Sequence, residues 1–568
     1  MNVIKNMSRE EIAQRELGHT DVHPVLARVL VVVFVTTIVS VLALEYAGSL
    51  AGSTVREDGG RWPHHHEVVN ILDDGLVALR TGEGDAFPRL FDANRAMLAR
   101  IDRFEQDLDD ASMLGRWLQP RVQHVLCRFA GVGSEQVYLG HDGWLFFRSA
   151  IEHLTGEGFL EPARLARRSA SGSEWQLAPQ PDPRPAIIDF HYQLKQMGIR
   201  LIVVPVSVKA SVHAEKLIRA AGPEAIHNPS FQNFVAELED RGVTVFDPTE
   251  SLESVRDAGG AAFLATDTHW SNAGLDRVAS DLADVADRFL APADEVRQHF
   301  HTKRETISNL GDLSRMLRLP KHDRLYAAER ELVDKVIDDR GETWTPRQGA
   351  PVLLLGDSFT NIFSLASMGW GEGAGFAPAL SRHLGRPVDT ITRNDDGAYA
   401  TRQDLARRLA QNPSALAGTQ LVIWEFTARE LSFGDWRLIS LEPDTPSDTS
   451  FFVPPAGASV QVTGRIAAIG EIPDPMEAPY ADHIVAVHLV DVRSDEPPMK
   501  GREALVMVQS MLDYELVRGA KYTVGEEVTL MLRPWSEVAP ELGAINRSEL
   551  YDEKLLAADP CWGTEPTP

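Results

Sequence analysis

The 568-residue chain carries 82 acidic residues against 56 Lys plus Arg, a formal charge of -26, and is 43% hydrophobic. That is enough apolar chain for two or three domains with cores of their own. The acidity argues against a nucleic-acid partner, because phosphates are bound by basic patches. The only two cysteines, Cys127 and Cys561, exclude a disulfide framework and leave a single bridge as the alternative to two free thiols.

Residues 25–47, "VLARVLVVVFVTTIVSVLALEYA", form the one membrane-grade segment. It is uncharged from Val29 to Leu44, close to the roughly 20 residues that cross a bilayer. Lys5, Arg9, Arg15 and Arg28 precede or open it, which places the N-terminus in the cytoplasm and the rest outside. A cleaved signal peptide ending near Ser49-Leu50-Ala51 is the alternative; the long polar leader favours an uncleaved anchor. Residues 48–128 read as a juxtamembrane linker followed by helices. His64, His65 and His66 cannot all face one ion from regular structure, so the triplet reads as solvated linker and not as a metal site.

In "VYLGHDGWLFF", His141-Asp142-Gly143 is a hairpin-type turn between two apolar runs. From about 185 to 430 strands and helices alternate: "IRLIVVPVSV", "VTVFDP", "APVLLLGDSF" and "TQLVIWEF" are strands, with "HYQLKQMG" and "SFQNFVAELEDRG" helical between them. That pattern predicts βαβ units and a mainly parallel sheet covered on both faces. After a linker at 441–457 the period changes to two in "SVQVTGRIAAIG", "HIVAVHLVDVR", "EALVMVQSML" and "KYTVGEEVTLMLRPW". This predicts a small β-barrel or sandwich over 458–568.

The nucleophile candidate is Ser358 in "PVLLLGDSFTNIF". It follows a buried strand at the carboxyl edge of the sheet, where open α/β proteins gather their active sites. Gly356 permits a tight turn there, and the Ser358 N–H near a helix start suits an oxyanion. A serine nucleophile needs a base, and "ATDTHWSNAG" supplies His269 with Asp267 two residues before it. In an extended segment these two point to the same side. Ser271 is placed to cap the helix beginning at Asn272. The set is that of an acyl-transfer triad, which recurs in any chain order.

Gly-Asp-Ser after a strand resembles the nucleophile block of SGNH hydrolases. Asp-Thr-His-Trp lying before the serine, together with "LGHDGWLFF", "VVPVSVKASVHAEKL", "GAGFAPALSRHLGRPVDTI" and "LVIWEFTARELS", resembles the alginate O-acetyltransferase family typified by AlgJ and AlgX, over residues 135–435. The resemblance implies a permuted SGNH hydrolase-like three-layer α/β fold. The expected organisation is a cytoplasmic N-terminus (1–24), a transmembrane anchor (25–47), the linker and helices (48–128), an SGNH-like acetyltransferase domain (129–440), a linker (441–457) and the C-terminal β domain. It also implies O-acetylation of an exported polysaccharide in the periplasm, with Ser358 as nucleophile, His269 as base and Asp267 as orienting acid. The acetyl donor would come through a membrane-bound O-acyltransferase. No cofactor and no metal are expected.

Further candidates carry bland alternatives. Asn394 is similar to the oxyanion Asn of SGNH enzymes, or a turn residue. Trp370 in "MGWGEGAGF" is a sugar-stacking residue or core. Glu425 and Arg429, four apart, read as an ion pair, and Tyr522 and Trp535 as core aromatics before a sugar platform. The same triad suits a carbohydrate acetylesterase, and a non-catalytic glycan-binding scaffold of a membrane complex is the reading from another class.

Overall fold

The computed structural model describes residues 25–26, 28–36, 39–40, 101, 113–171, 178–222, 224–292, 298–394, 397–442, 451–473, 475, 478, 480–495, 498–543, 545–550, 555 and 558–566. The chain divides into two units, Met1–Val125 and Leu126–Pro568. In the first unit, the described residues of the 25–47 segment are helical and exposed. Among the described residues no helix is long and apolar enough to cross a membrane; the remainder of that segment, and His64–His66, lie outside them. A helix at Met113–Val125 ends this unit.

The second unit opens on a hairpin, β1 (Val137–Leu139) and β2 (Leu145–Phe147), paired antiparallel. Its turn needs two left-handed residues, and Asp142 (φ 58°) and Gly143 (φ 81°) supply them. The central sheet follows with β3 (Arg200–Val206) and β4 (Thr244–Val245). An antiparallel arm interrupts it, β5 (His301–Asn309) and β6 (Glu329–Ile337). β5 has Ile307 as its sole aliphatic residue, so the sequence carries no alternating strand signal there. The sheet resumes with β7 (Val352–Gly356), β8 (Val388–Thr392) and β9 (Leu421–Thr427). Its order is β4-β3-β9-β7-β8, and every pairing is parallel.

Both faces of this sheet are covered. Ile202, Val204, Val352 and Leu354 face one core layer, and Leu201, Val203, Leu353 and Leu355 face the other. This is the period-two alternation of a strand buried on both sides, which is why these strands read as unbroken apolar runs.

The C-terminal strands are β10 (Val460–Ile469), β11 (His483–Asp495), β12 (Pro498–Leu512), β13 (Glu515–Leu516), β14 (Glu527–Pro534), β15 (Asn546–Ser548) and β16 (Cys561–Thr564). Pairings run β10–β11–β12–β16–β14 and back to β10, so the sheet closes on itself as a small barrel. Tyr522 is buried in the barrel core, and Trp535 packs beside Trp562 with ring centroids 6.1 Å apart. Both are core aromatics. Neither cysteine forms a disulfide, and both are buried: Cys127 packs with Val137 and Leu313, Cys561 inside the barrel. The bridge considered from the sequence is not formed, because each thiol sits in a separate core.

The barrel is joined to the sheet domain by a buried ion cluster. Glu549 accepts from Arg393 at 2.9 Å and from Arg407, while Arg547 meets Asp404 at 3.1 Å and Glu549 at 3.1 Å. Burial pushes the Glu549 carboxyl up, but the guanidinium groups of Arg407, Arg393 and Arg547 outweigh it and hold the group well below its ordinary range.

Candidate active site

Strand β7 runs out at Gly356, and a short helix, Ser358–Asn361, begins two residues later. Asp357 caps it: its Oδ1 accepts the Phe359 N–H at 2.8 Å, and its Oδ2 accepts the Thr427 N–H at 2.7 Å from the end of β9. The role of Gly356 is close approach, not a left-handed turn. A Cβ there would lie 2.2 Å from Thr360 Oγ1 and 3.0 Å from Glu425 Oε2. Ser358 is thereby delivered to the carboxyl edge of the sheet, 8% exposed.

The Asp267–His269 segment is a series of bends closed by a bridge between Phe263 and Trp270. It is not the extended run expected from the sequence. Asp267 Oδ1 takes the His269 backbone N–H at 3.2 Å and also sits 2.6 Å from Nδ1 of the ring, so an Asx-type turn holds the pair together. Trp270 is fully buried and donates its indole N–H to the Phe359 carbonyl at 3.0 Å. That bond ties the histidine segment to the serine helix. On the other side, Ser271 caps the helix Asn272–Ala286 by accepting the Gly274 N–H at 3.0 Å.

The result is a continuous chain: His269 Nε2 lies 2.9 Å from Ser358 Oγ. The acceptor-only Asp267 carboxylate fixes the tautomer, with Nδ1 carrying the proton and Nε2 free to accept one from the serine hydroxyl. Burial disfavours the charged imidazolium, but Asp267 outweighs it and raises His269 above its ordinary value. Burial likewise raises Asp267, yet the His269 and Trp370 hydrogen bonds drive it well below the usual carboxylate range. A pair tuned this way keeps its carboxylate ionised and makes the ring a ready proton acceptor. Ser358 and His269 open into a cavity of about 420 Å³, which Asn394, Arg315 and Arg429 also line.

Residues 137–428 match the family model described as an SGNH hydrolase-like domain, acetyltransferase AlgX. The chain belongs to this family of SGNH hydrolase-like acetyltransferases. It is an O-acetyltransferase. The probable alginate O-acetylase AlgJ of Pseudomonas aeruginosa is 28% identical over 305 residues, covering 53% of this chain and 71% of that one. The alginate biosynthesis protein AlgX of Azotobacter vinelandii is 24% identical over 248 residues, covering 42% and 47%. The solved O-acetyltransferase domain of Pseudomonas putida AlgJ aligns with a TM-score of 0.40 at 25% identity, covering 53% of this chain and 93% of that chain.

Within this acetyltransferase domain the other candidates fall out differently. Asn394 shares the cavity with Ser358, and its Oδ1 accepts from Asn361 Nδ2 at 2.8 Å. Trp370 offers no face to a sugar: it is wholly buried and its indole N–H donates to Asp267 Oδ2 at 2.9 Å. Glu425 and Arg429 do not pair. Glu425 lies within β9 with its Oε2 accepting from the Asp357 N–H and the Thr360 hydroxyl, while Arg429 lies in the turn beyond the strand. Arg429 instead bonds Thr427 Oγ1 at 3.1 Å and lies over the Phe147 ring.

Two groups here carry no mark in the sequence reading, Asp312 and Lys209, and a third, Glu425, has a different role from the ion pair expected. Asp312 sits beside the histidine, Oδ2 3.9 Å from Nδ1, and its own N–H donates to Asp267 Oδ2 at 3.1 Å. Burial and the neighbouring Asp267 push it up to about 6. Glu425, fully buried, accepts from the Asp357 N–H at 3.0 Å and the Thr360 hydroxyl at 2.6 Å; burial and Asp357 raise it well above the ordinary value. Lys209 donates to the carbonyls of Leu145 and Ala265 at 2.8 and 3.2 Å, and burial lowers it to about 8. A lysine in the apolar run "VVPVSVKASV" was the available signal for the last. Asp267, His269 and Asp312 bring one ligand atom each within 4.8 Å of one another, but Asp267 already spends both oxygens on the indole, the imidazole and backbone N–H groups. That set serves the proton chain better than a cation.

Proposed function

We propose that this protein acetylates a hydroxyl of an exported polysaccharide through an acetyl-Ser358 intermediate. The observation that carries the reading is the buried chain Asp267–His269–Ser358, with contacts of 2.6 and 2.9 Å, opening into one cavity. In the first half-reaction His269 Nε2 takes the Ser358 proton as Oγ bonds to the acetyl carbonyl carbon. The tetrahedral oxyanion is met by the Ser358 N–H and the Asn394 amide. The donor's leaving group then departs with the proton from His269. In the second half-reaction a sugar hydroxyl gives its proton to His269 and attacks the acetyl carbon, and Ser358 Oγ leaves and regains the proton.

The curated relatives are named for alginate, so a polysaccharide hydroxyl is the acceptor class, and a membrane-bound O-acyltransferase is the source of acetyl groups. The 25–47 segment anchors the chain in the cytoplasmic membrane with the catalytic unit on the periplasmic side. The test is incubation of the full chain with p-nitrophenyl acetate and oligosaccharides, followed by mass spectrometry. An acetyl adduct on Ser358 and acetylated sugar, both absent in Ser358→Ala, are expected. Acetylation that survives Ser358→Ala would sink the reading.

A further inference from the structure

The cavity over Ser358 is not built by the acetyltransferase domain alone. Tyr480, Asp482, Tyr514 and Asn546, all from the barrel, line it together with Ser358 and His269. The barrel wall has an unusual backbone. β12 and β13 pair Leu512 with Glu515, so Asp513 and Tyr514 form a two-residue connection. Both are left-handed, at φ 51° and 63°. Such a turn favours Asn-Gly, and a tyrosine at its second position is held against its own preference. Non-glycine residues kept in this region cluster at binding sites, where the surroundings over-determine them.

The surroundings do so here. The Tyr514 N–H donates to the Ala481 carbonyl at 2.8 Å, and the Asp513 N–H to Asp482 Oδ1 at 3.0 Å. The hairpin tip and the 480–482 segment are therefore one piece. Burial raises the Tyr514 phenol, and the groups facing it include Arg315 and Asp312 of the acetyltransferase domain. The Arg393–Glu549–Arg407 cluster keeps the wall in place.

We propose that the Asp513–Tyr514 tip, with Tyr480 and Asp482, is the acceptor subsite, binding the sugar ring whose hydroxyl takes the acetyl group from Ser358. Aromatic faces beside a carboxylate and an amide are the chemistry that recognises a ring of hydroxyls. The proposal rests on the acetyl-serine reading and deepens it. It makes the two half-reactions separable: the acetyl donor needs Ser358, His269 and Asp267, whereas the acceptor needs the barrel as well. A water molecule that replaces the sugar turns transfer into hydrolysis.

The experiment uses the full chain, p-nitrophenyl acetate as donor, and an oligomannuronate and a neutral cello-oligomer as acceptors. Tyr514→Gly suits the left-handed backbone and removes the ring. Its p-nitrophenol burst and Ser358 adduct should stay within about twofold of the unmodified chain. Acetyl transfer to sugar should fall about tenfold or more, with free acetate taking its place. Tyr514→Phe, which keeps the ring, should recover part of the transfer. In Ser358→Ala, NMR line broadening of the acceptor oligomer should be lost on adding Tyr514→Gly. Unchanged transfer, or a burst that falls in parallel with transfer, overturns the proposal, as does contact of neither oligomer with the cavity. A missing adduct in the unmodified chain would instead remove the acetyl-serine reading, and the proposal with it.

Discussion

Trp370 donates its indole N–H to Oδ2 of Asp267 across 2.9 Å, while Oδ1 of the same carboxylate holds His269. The indole thus orients the carboxylate that holds the imidazole. Trp370→Phe keeps the buried ring and removes the donor. A hydrogen bond to a charged group contributes about 1.5–3 kcal/mol, so the rate of Ser358 acetylation should drop about tenfold or more. Stopped-flow release of p-nitrophenol checks this, and an unaltered rate would show that the Asp312 and His269 backbone N–H groups suffice to hold Asp267.

Asp312 gives a prediction in pH. In the proposed mechanism His269 accepts a proton only when neutral, and it sits above its ordinary value, so the acid limb of kcat/KM should fall above that of a free imidazole. The Asp312 carboxylate is one of the charges that raise it. Asp312→Asn removes that charge and should move the limb to lower pH. A limb that stays put, or moves up, contradicts the assignment.

Glu425 is predicted to be a neutral acid in the folded protein, because burial and Asp357 hold it well above 4.5. Below that value it is protonated folded and unfolded alike. As pH rises the unfolded chain ionises first, so stability is lost progressively until the folded group also ionises. Glu425→Gln should match the native protein in thermal melts at pH 4 and exceed it at pH 8, with activity within about threefold. Glu425→Ala, which strips the Asp357 N–H and Thr360 hydroxyl of their acceptor, should lose both.

Glu549 is the hinge of the ion cluster between barrel and sheet domain. Glu549→Ala leaves Arg393 and Arg407 buried without it, a change worth about 3–5 kcal/mol. Chemical denaturation should show that loss, and limited proteolysis should release the barrel. Replacing Lys216, the half-buried partner of the exposed Asp142, should shift the same curve by less than about 1 kcal/mol.

The local chemistry of this protein was legible in its sequence wherever one segment carried the whole signal. The apolar runs at 201–206, 352–356 and 421–424 announced strands buried on both faces. The switch to period two after 457 announced a small barrel or sandwich, and the strand pairings make it a barrel. Asp-Thr-His-Trp and Gly-Asp-Ser each looked like half of a site, because an Asp two residues from a His and a Ser at a strand end are local arrangements. Tertiary structure alone decided the rest. β16 comes from the far end of the chain to close the barrel, and nothing in its four residues says which strand edges are open. Trp370 lies inward with its indole N–H on the Asp267 carboxylate, because a buried donor is costly to leave unpaired and only the fold brings that acceptor to it. Asp312, Glu425 and Tyr514 reach the site from segments 45 to 247 positions from Asp267. Their spacing along the chain carries no trace of that meeting, since proximity there is set by how the sheet domain and the barrel pack and not by the period of any helix or strand.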